Sequence, residues 1–347
     1  MSISNQTAFE KFLREQDEAS WSAALAEILH EVHEVDRSAT EIWFRFWPLK
    51  LWRALSEAED AEALARRLLL KGSYYLKDQV DASHKFLYGH RYWPAVKRAV
   101  EEHASAFQAS ANAKLADEIR AVAKEAAARA KADVSLVIGI TAAALMTVVQ
   151  AGMSAFVAAA GEVLIDKRQA RKSAEEVLSE RAKDDSQGLF GFLKTVDKEW
   201  TVTYDEADSR ARFKLINDEE LASAAARDQS RNWREADERC IEGPIPVECR
   251  SASCGTCWVG VLGGAEKLTE VKKLEGRKIK EFGYIETDEA RPLIRLACMA
   301  RASGAVSIVI PPWNGVFGKY LKERKQSGAD SSEIAANETL STNGVAN

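Results

Sequence analysis

Four of the five cysteines share a spacing that suits metal–thiolate chemistry. Cys249, Cys254 and Cys257 occur in one short segment, and Cys298 follows after a further 40 residues. A cluster of two irons and two bridging sulfides needs four thiolates, and the C-x4-C-x2-C…C pattern supplies three from a loop and one from a distant strand. We therefore predict a [2Fe–2S] site in which Cys249 and Cys254 hold one iron and Cys257 and Cys298 hold the other.

The segment that carries the first three cysteines, residues 244–257, is predicted to be the loop around this cluster. A short loop can direct several backbone N–H groups toward sulfur atoms. These donors would stabilise the negative charge of the cluster and adjust its reduction potential.

Zinc binding and disulfide formation are the two alternatives to the cluster for these cysteines. Zinc sites usually pair two Cys-x2-Cys knuckles, and Cys298 has no companion at that spacing. Disulfides are not expected, because residues 1–6 do not resemble a signal peptide and nothing in the sequence indicates an oxidising compartment. Cys240 falls outside the four-cysteine pattern, and we expect it to be a free thiol.

The cysteine segment resembles the plant-type [2Fe–2S] ferredoxin domain. The resemblance rests on a proline-containing approach strand, on Arg250 after the first cysteine, on the Cys-Gly-x-Cys of residues 254–257 and on Leu296-Ala297 before the last cysteine. It covers roughly residues 199–315 and implies a β-grasp fold, a [2Fe–2S] cluster and one-electron transfer.

Two features depart from that family. Ala252 stands where the family usually has glycine, and alanine tolerates a positive φ poorly. The gap between Cys257 and Cys298 is longer than in photosynthetic ferredoxins, so residues 265–292 are an insertion. The insertion has six Lys and Arg residues among four Glu residues between positions 266 and 281. It is predicted to be helical and resembles a lid found in some bacterial ferredoxins. It is either a docking surface beside the cluster or a solvated cover.

The elements expected around the cluster follow from residue patterns. Alternating apolar residues predict two paired strands, and the segment after the loop predicts a third strand. Asp218 is placed to cap a helix between the second strand and the loop. The predicted elements are strands at 199–204, 211–216, 258–262 and 306–310 and a helix at 218–226.

The N-terminal part is predicted to be all helical. Apolar residues recur there mainly at three- and four-residue steps, strand signals are absent, and Pro48 is expected to kink one of the helices. The fold class is therefore α+β, with an all-α region followed by a β-grasp ferredoxin-like domain. The predicted organisation is a helical domain at 1–133, a long uncharged apolar helix at 134–165, a charged helix and linker at 166–198, a [2Fe–2S] domain at 199–325 and a disordered tail at 326–347.

Residues 134–161 contain no Asp, Glu, Lys or Arg. A continuous helix of this length, at about 1.5 Å per residue, exceeds the roughly 30 Å core of a bilayer. Its length and its small residues favour a membrane helix. Its many alanines, the central Gln150 and the absence of interfacial Trp or Tyr favour a buried helix or hairpin instead. We predict membrane association through this segment, with the buried helix as the alternative.

Histidines offer a weaker metal hypothesis. Glu27, His30 and His33 would lie near one helix face, but a carboxylate-bridged di-iron site needs a second Glu-x2-His, which the sequence lacks. Ordinary polar surface is the simpler interpretation. His84 and His90 are not aligned on a helix, and their aromatic neighbours indicate packing rather than haem ligation.

The overall composition restricts the function. A net charge of −5 without a basic block does not indicate nucleic-acid binding. No dinucleotide fingerprint, P-loop or catalytic triad accompanies the cysteines. We predict an electron carrier rather than an enzyme, with a reductase as donor and an acceptor enzyme as partner, at the cytoplasmic side of the membrane or in the cytoplasm. The alternatives are a sensor in which the cluster state controls the helical module and an enzyme with its active site in the N-terminal helices.

Overall fold

The computed structural model describes residues 6–110, 112–184, 198–282 and 288–324. The predicted α+β class is confirmed, because a helical region precedes a domain built around a β-sheet. The predicted tail at 326–347 and most of the linker before residue 198 lie outside the described residues. The α-helices are α1 (Ala8–Glu15), α2 (Glu18–Ile28), α3 (Glu34–Phe46), α4 (Leu49–Glu57), α5 (Ala61–Arg67), α6 (Trp93–Ala106), α7 (Leu115–Ala130), α8 (Ile138–Ala151), α9 (Met153–Ala158), α10 (Lys167–Ala170), α11 (Ala174–Ala182), α12 (Leu221–Ala226), α13 (Trp233–Ala236) and α14 (Lys273–Phe282).

The strands form one main sheet and two small ribbons. In the main sheet the order is β3-β2-β8-β5-β6, with β2 and β8 parallel and the other neighbours antiparallel. Two short ribbons pair β1 with β9 and β4 with β7. The strands are β1 (Lys71–Gly72), β2 (Glu199–Thr203), β3 (Arg212–Ile216), β4 (Glu219–Glu220), β5 (Trp258–Gly263), β6 (Ile294–Leu296), β7 (Arg301–Ala302), β8 (Val306–Val309) and β9 (Trp313–Asn314).

The main sheet has the mixed order of the expected β-grasp, and the four predicted strands are present as β2, β3, β5 and β8. In β2 and β3 the buried residues alternate with exposed or half-buried ones, as one-sided burial requires. The predicted cap is wrong: Asp218 has φ +62°, and α12 begins at Leu221 with Glu220 in the N-cap position. Asp218 instead takes the left-handed conformation that short turns need, which Asp tolerates better than most residues.

Two expectations about the helical region are also wrong. Pro48 does not kink a helix but separates α3 from α4, because its ring fits an extended N-cap residue and not a helix interior. The region is not free of strands, because β1 pairs antiparallel with β9. A two-residue strand is too short to show a period in the sequence.

Residues 134–161 form shorter pieces and not one long helix. Gly152, with φ +86°, ends α8, and the six-residue α9 follows it. Every residue of α8 from Ile138 to Val149 is buried. Within the described parts of the chain, no helix combines the length and the apolar character needed to cross a membrane. The burial of α8 matches the alternative of a central helix in the helical domain.

The polar groups and small residues of α8 have partners inside that domain. Thr141 and Thr147 donate to backbone carbonyls four residues earlier, each at 2.8 Å. Gln150 donates to the carbonyl of Trp47 at 2.9 Å. A Cβ added at Gly139 would lie 2.3 Å from Oγ1 of Thr40 on α3. The small Gly139 thus allows close helix packing within the domain.

The helical region and the sheet share one hydrophobic core. The rings of Phe46 and Trp258 pack edge to face with centroids 5.3 Å apart, and the indole of Trp313 donates to the Phe46 carbonyl at 2.6 Å. A Cβ at Gly260 of β5 would lie 2.7 Å from the Ile42 side chain. Strand β5 therefore packs directly against α3, without an intervening solvent layer.

A buried ion pair connects the two parts on another face. Arg181 of α11 donates to both carboxylate oxygens of Glu206 at 2.6–2.7 Å and to the Val35 carbonyl at 2.7 Å. Ser307 of β8 donates to the same carboxylate at 2.5 Å. Because charge and hydrogen bonds are satisfied together, the pair can exist in a dry interface.

Candidate iron–sulfur centre

The fold gathers the four predicted cysteine ligands at one end of the main sheet. Cys249, Cys254 and Cys257 lie in the loop between α13 and β5, and Cys298 follows β6. Strands β5 and β6 pair antiparallel, and the N–H of Ala297 donates to the Cys257 carbonyl at 2.8 Å. Strand pairing thus brings together two cysteines that are far apart in sequence.

The thiols lie in two pairs. The Cys254 N–H donates to the Cys249 sulfur at 3.3 Å, and hydrogen bonding between the side chains of Cys257 and Cys298 shifts their pKa values in opposite directions. Cys257 and Cys298 are buried, whereas Cys249 and Cys254 are half-buried. A binuclear cluster takes two thiolates on each iron, and the assignment of each pair to one iron stays a prediction.

Backbone donors converge on Cys249. Its sulfur accepts from the N–H groups of Ser253 and Cys254 at 3.3 Å and from that of Ser251 at 3.5 Å. Three loop residues have a positive φ, namely Arg250 (+51°), Ala252 (+58°) and Gly255 (+74°). Such residues turn successive N–H groups to the same side of the chain, which makes a concave site for negative charge.

Ala252 adopts the conformation that its residue type disfavours. A left-handed alanine costs roughly 1–2 kcal/mol, and here it is also fully buried. A hydrogen bond from its backbone lowers the pKa of Cys298, so this residue connects the loop to the distant cysteine. Ala252 therefore adopts the positive φ that a glycine at this position would take.

These donors act on the ionisation of the thiols. Burial of Cys249 opposes its charged form, but hydrogen bonds from Ser253, Ser251 and Cys254 outweigh this and lower the pKa to about 6. In the buried pair, a hydrogen bond between the two thiols raises the pKa of Cys257 and lowers that of Cys298. The site thus favours thiolate at one cysteine of each pair, and thiolate is the form that binds iron.

The insertion forms a helix, as predicted, and it is anchored beside Cys298. Glu275 of α14 is almost fully buried and accepts two hydrogen bonds from the guanidinium of Arg295, at 2.8 and 3.0 Å. It also accepts from the N–H of Leu296 at 3.0 Å. On the opposite face, Lys273 and Arg277 of α14 are exposed, as is Lys272 directly before the helix. The lid is therefore tied by one face to the segment that precedes the fourth cysteine.

Sequence reasoning missed three residues around the cysteines. Glu275 and Arg295 form the buried pair, and Thr256 donates to the Cys254 sulfur from its N–H at 3.5 Å and its hydroxyl at 3.1 Å. A signal for Arg295 was present, because a charged residue between Ile294 and Leu296 interrupts an apolar strand and implies a buried partner. Nothing in the sequence identified Glu275 as that partner.

Cys240 lies apart from both pairs. It is buried, its thiol lies 3.4 Å from the Pro244 carbonyl as a donor, and burial raises its pKa to about 12. A neutral, buried thiol of this kind is unreactive. This environment agrees with the expected free thiol.

The structure does not bring Glu27, His30 and His33 together as metal ligands. Helix α2 ends at Ile28, so His30 and His33 lie beyond it, and Glu27 pairs with Arg120. The Nδ1 of His33 instead accepts from a backbone N–H at the start of α3. Among the residues that the structure describes, no three His, Cys, Asp or Glu side chains are arranged to hold a single metal ion.

His84 and His90 pack in the core, as expected. Their Nδ1 atoms are 2.9 Å apart, and the His84 ring lies 4.0 Å from that of Trp93. The Nε2 of His90 accepts from the N–H of Leu164 at 2.8 Å, so that nitrogen carries no proton. Burial lowers the pKa of His90 to about 4 and that of His84 well below its usual value.

Comparison with known proteins finds one family. The family model of the 2Fe-2S iron–sulfur cluster binding domain matches residues 216–303. The matched segment contains the loop, the lid and the four cysteines, while β2 and β8 of the same sheet lie outside it. The search of curated proteins and the search of solved structures each return no match.

Proposed function

Because residues 216–303 are a [2Fe–2S] cluster-binding domain, we propose that the chain is an electron carrier between a reductase and an acceptor protein. The observation that carries the proposal is the arrangement of four thiols in two pairs under converging N–H donors. The donor set fits a [2Fe–2S] cluster, since it supplies four thiolates and compensation for their charge. When bound, the cluster supplies reversible one-electron chemistry.

Each cysteine pair has its own role in the proposed electron transfer. Cys249 and Cys254 hold one iron, and Cys257 and Cys298 hold the other. The half-buried pair lies on the solvent side, so a partner approaches the loop at Cys249 and Cys254. The buried pair fixes the site to β5 and β6.

The partner surface includes the exposed face of α14. Lys272, Lys273 and Arg277 are exposed there, beside the segment that leads to Cys298. Rim charges of one sign mainly accelerate association with a partner of the opposite sign. We propose that an acidic surface of the redox partner docks on this face.

The test is metal analysis followed by electron transfer. The anaerobically purified chain should contain two irons and two acid-labile sulfides and give an EPR signal only after reduction. It should then pass electrons from a NADPH-dependent ferredoxin reductase to cytochrome c. Stoichiometric zinc without labile sulfide would overturn the cluster assignment, and a loaded protein that neither accepts nor donates electrons would overturn the carrier proposal.

A sensor is the second candidate, and one observation favours it. The helical region contacts the cluster loop directly, because Lys71 of β1 pairs with Glu248 at 2.5 Å next to Cys249. Loss of a cluster could then alter the helical region. Hydrogen exchange of the full chain with and without its cluster tests this, and unchanged exchange in β1, α4 and α5 would exclude the sensor.

The predicted location, in the cytoplasm or at the cytoplasmic face of a membrane, stays a prediction. Cell fractionation with a carbonate wash measures it directly. Retention in the washed membranes would support membrane association, and recovery in the supernatant would oppose it.

A further inference from the structure

Asn314 is a buried polar residue that reaches the cluster loop from outside the matched domain. It lies in β9, and its side chain is almost fully buried. Its Nδ2 donates to the carbonyl of Thr256 in the loop, and its Oδ1 accepts from Nη1 of Arg239 at 2.6 Å. Both ends of the amide therefore have a defined partner.

Arg239 fixes which way the amide points. A guanidinium can only donate hydrogen bonds, so the oxygen of Asn314 must face Arg239 and its NH2 must face Thr256. Arg239 itself is held by Asp237, at 2.6 Å, and by the Pro311 carbonyl, at 3.0 Å. An amide rotation would place two donors together and leave the Thr256 carbonyl without its partner.

Thr256 connects this amide to a cluster ligand. It donates to the Cys254 sulfur through both its N–H and its hydroxyl. Hydrogen bonds to cysteine sulfur stabilise the more negative, reduced state and raise the reduction potential. The orientation of Thr256 therefore affects the reduction potential of a cluster held at this site.

The helical region holds Asn314 in place. Strand β1 pairs with β9, and the N–H of Ser73 donates to the Pro312 carbonyl at 2.8 Å. Gly72 makes this approach possible: its φ is +90°, and an added Cβ would lie 2.5 Å from the Pro312 oxygen. The Trp313 indole also donates to the Phe46 carbonyl. The backbone on both sides of Asn314 is thus fixed by residues of the helical region.

We propose that Asn314 is a positioning residue for the cluster, which holds Thr256 so that it can donate two hydrogen bonds to Cys254. Through β1 and β9 the helical region then sets the reduction potential of the ferredoxin-type domain. This inference rests on the proposed function and adds a role for the region that no family model matches.

The experiment compares reduction potentials of full-length, cluster-loaded variants. Asn314→Leu has nearly the same volume and no donor, so it should shift the midpoint potential to a more negative value. Thr256→Val removes the hydroxyl donor and should shift it in the same direction. The double variant should shift less than the sum of the two, because both changes act on the same hydrogen bonds.

Two further measurements separate positioning from general damage. Resonance Raman bands of the iron–cysteine bonds should shift in Asn314→Leu and in Thr256→Val. The control Asn217→Leu, which removes an exposed amide paired with Trp200, should change neither the bands nor the potential. If Asn314→Leu does not load a cluster, Arg239→Lys provides the test, because a single ammonium cannot reproduce the forked contacts of Arg239 to Asn314, Asp237 and Pro311 that orient the amide.

The outcomes distinguish this inference from the proposed function. A loaded Asn314→Leu protein with wild-type potential, or shifts that add fully with Thr256→Val, would overturn the positioning role. The same holds for Arg239→Lys with an unchanged potential. A wild-type protein that carries no cluster or transfers no electrons would instead overturn the proposed function.

Discussion

The two cysteine pairs are held in different ways. Cys249 and Cys254 are half-buried, and N–H and hydroxyl donors of their own loop surround them. Cys257 and Cys298 are buried and are fixed by strand pairing and by the Glu275–Arg295 pair of the lid. One half of the site is thus built by local sequence and the other half by long-range contacts.

This difference separates two requirements of an electron carrier. A partner must come close to the cluster, which needs an exposed side, and the cluster must stay bound, which needs an anchored side. Hydrogen bonds on the exposed side compensate charge without closing the site to a partner. Changes to the buried side should therefore affect retention and stability, and changes to the exposed side should affect electron exchange.

The largest effect is expected from Cys257→Ser, which removes a ligand of the buried pair. The variant should lose the cluster, because serine is a poor iron ligand and no nearby side chain replaces it among the described residues. Iron and labile sulfide content measures the loss. Cys240→Ser is the matched control and should retain both, since the Cys240 thiol donates to the Pro244 carbonyl and lies apart from both cysteine pairs. An equal loss in the control would contradict the ligand assignment.

The next effect concerns the lid. Glu275→Gln keeps the shape but leaves the buried Arg295 charge uncompensated, which should cost about 3–5 kcal/mol of unfolding free energy. Denaturant unfolding measures the change, and the cluster should be released to a chelator faster than in the wild type. Glu281→Gln on the same helix breaks a more exposed pair with Lys278 and should cost less than about 1 kcal/mol. Equal losses of unfolding free energy in Glu275→Gln and Glu281→Gln would show that the buried Glu275–Arg295 pair does not anchor the lid.

A pH measurement extends the comparison to the helical region, where burial lowers the pKa of His90. His90 has a pKa of about 4 in the folded chain, so between pH 6.5 and 4 the unfolded chain binds more protons and stability falls as pH falls. His90→Gln should remove about 2 kcal/mol of the loss between pH 7.5 and 5, at 1.36 kcal/mol per pKa unit. Denaturant titrations at both pH values measure this, with the exposed His30→Gln as control. The prediction fails if His90→Gln and wild type lose equal stability.

The smallest effect is expected from the exposed face of α14, on which the redox partner is proposed to dock. Reversing Lys272, Lys273 and Arg277 to Glu should slow reduction by a partner by up to about tenfold at low salt, with less effect at high salt. Stopped-flow reduction measures the rate, and the EPR spectrum should stay unchanged. The control reverses Lys114, Lys124 and Lys131, which are exposed near or on α7 and give the same change in net charge. Equal slowing in both variants would assign the effect to net charge and not to docking.

Local patterns predicted much of the fold and the cysteine set. The spacing of the cysteines identified the cofactor, and alternation identified β2 and β3, because both signals lie within short segments. The Glu275–Arg295 pair and the Asn314–Thr256 hydrogen bond escaped prediction. Each joins residues 20 or more positions apart, and a single sequence does not show such contacts.

The uncharged segment at 134–161 shows a different limit. Absence of charge is required of a helix in lipid and of a helix surrounded by other helices. The sequence therefore could not separate the two, and the features that describe how this segment packs are three-dimensional. Gly152 interrupts the helix, and Gly139 allows α8 to approach α3.

The contact of Phe46 with Trp258 and Trp313 has a consequence for synthesis of the chain. The helical region leaves the ribosome first, and part of its face at Phe46 is covered by residues more than 200 positions later. Until then an apolar surface next to α3 is open to other nascent chains. We expect newly made helical region to need a chaperone during this interval, and expression of a chain that stops at residue 184 should give aggregates.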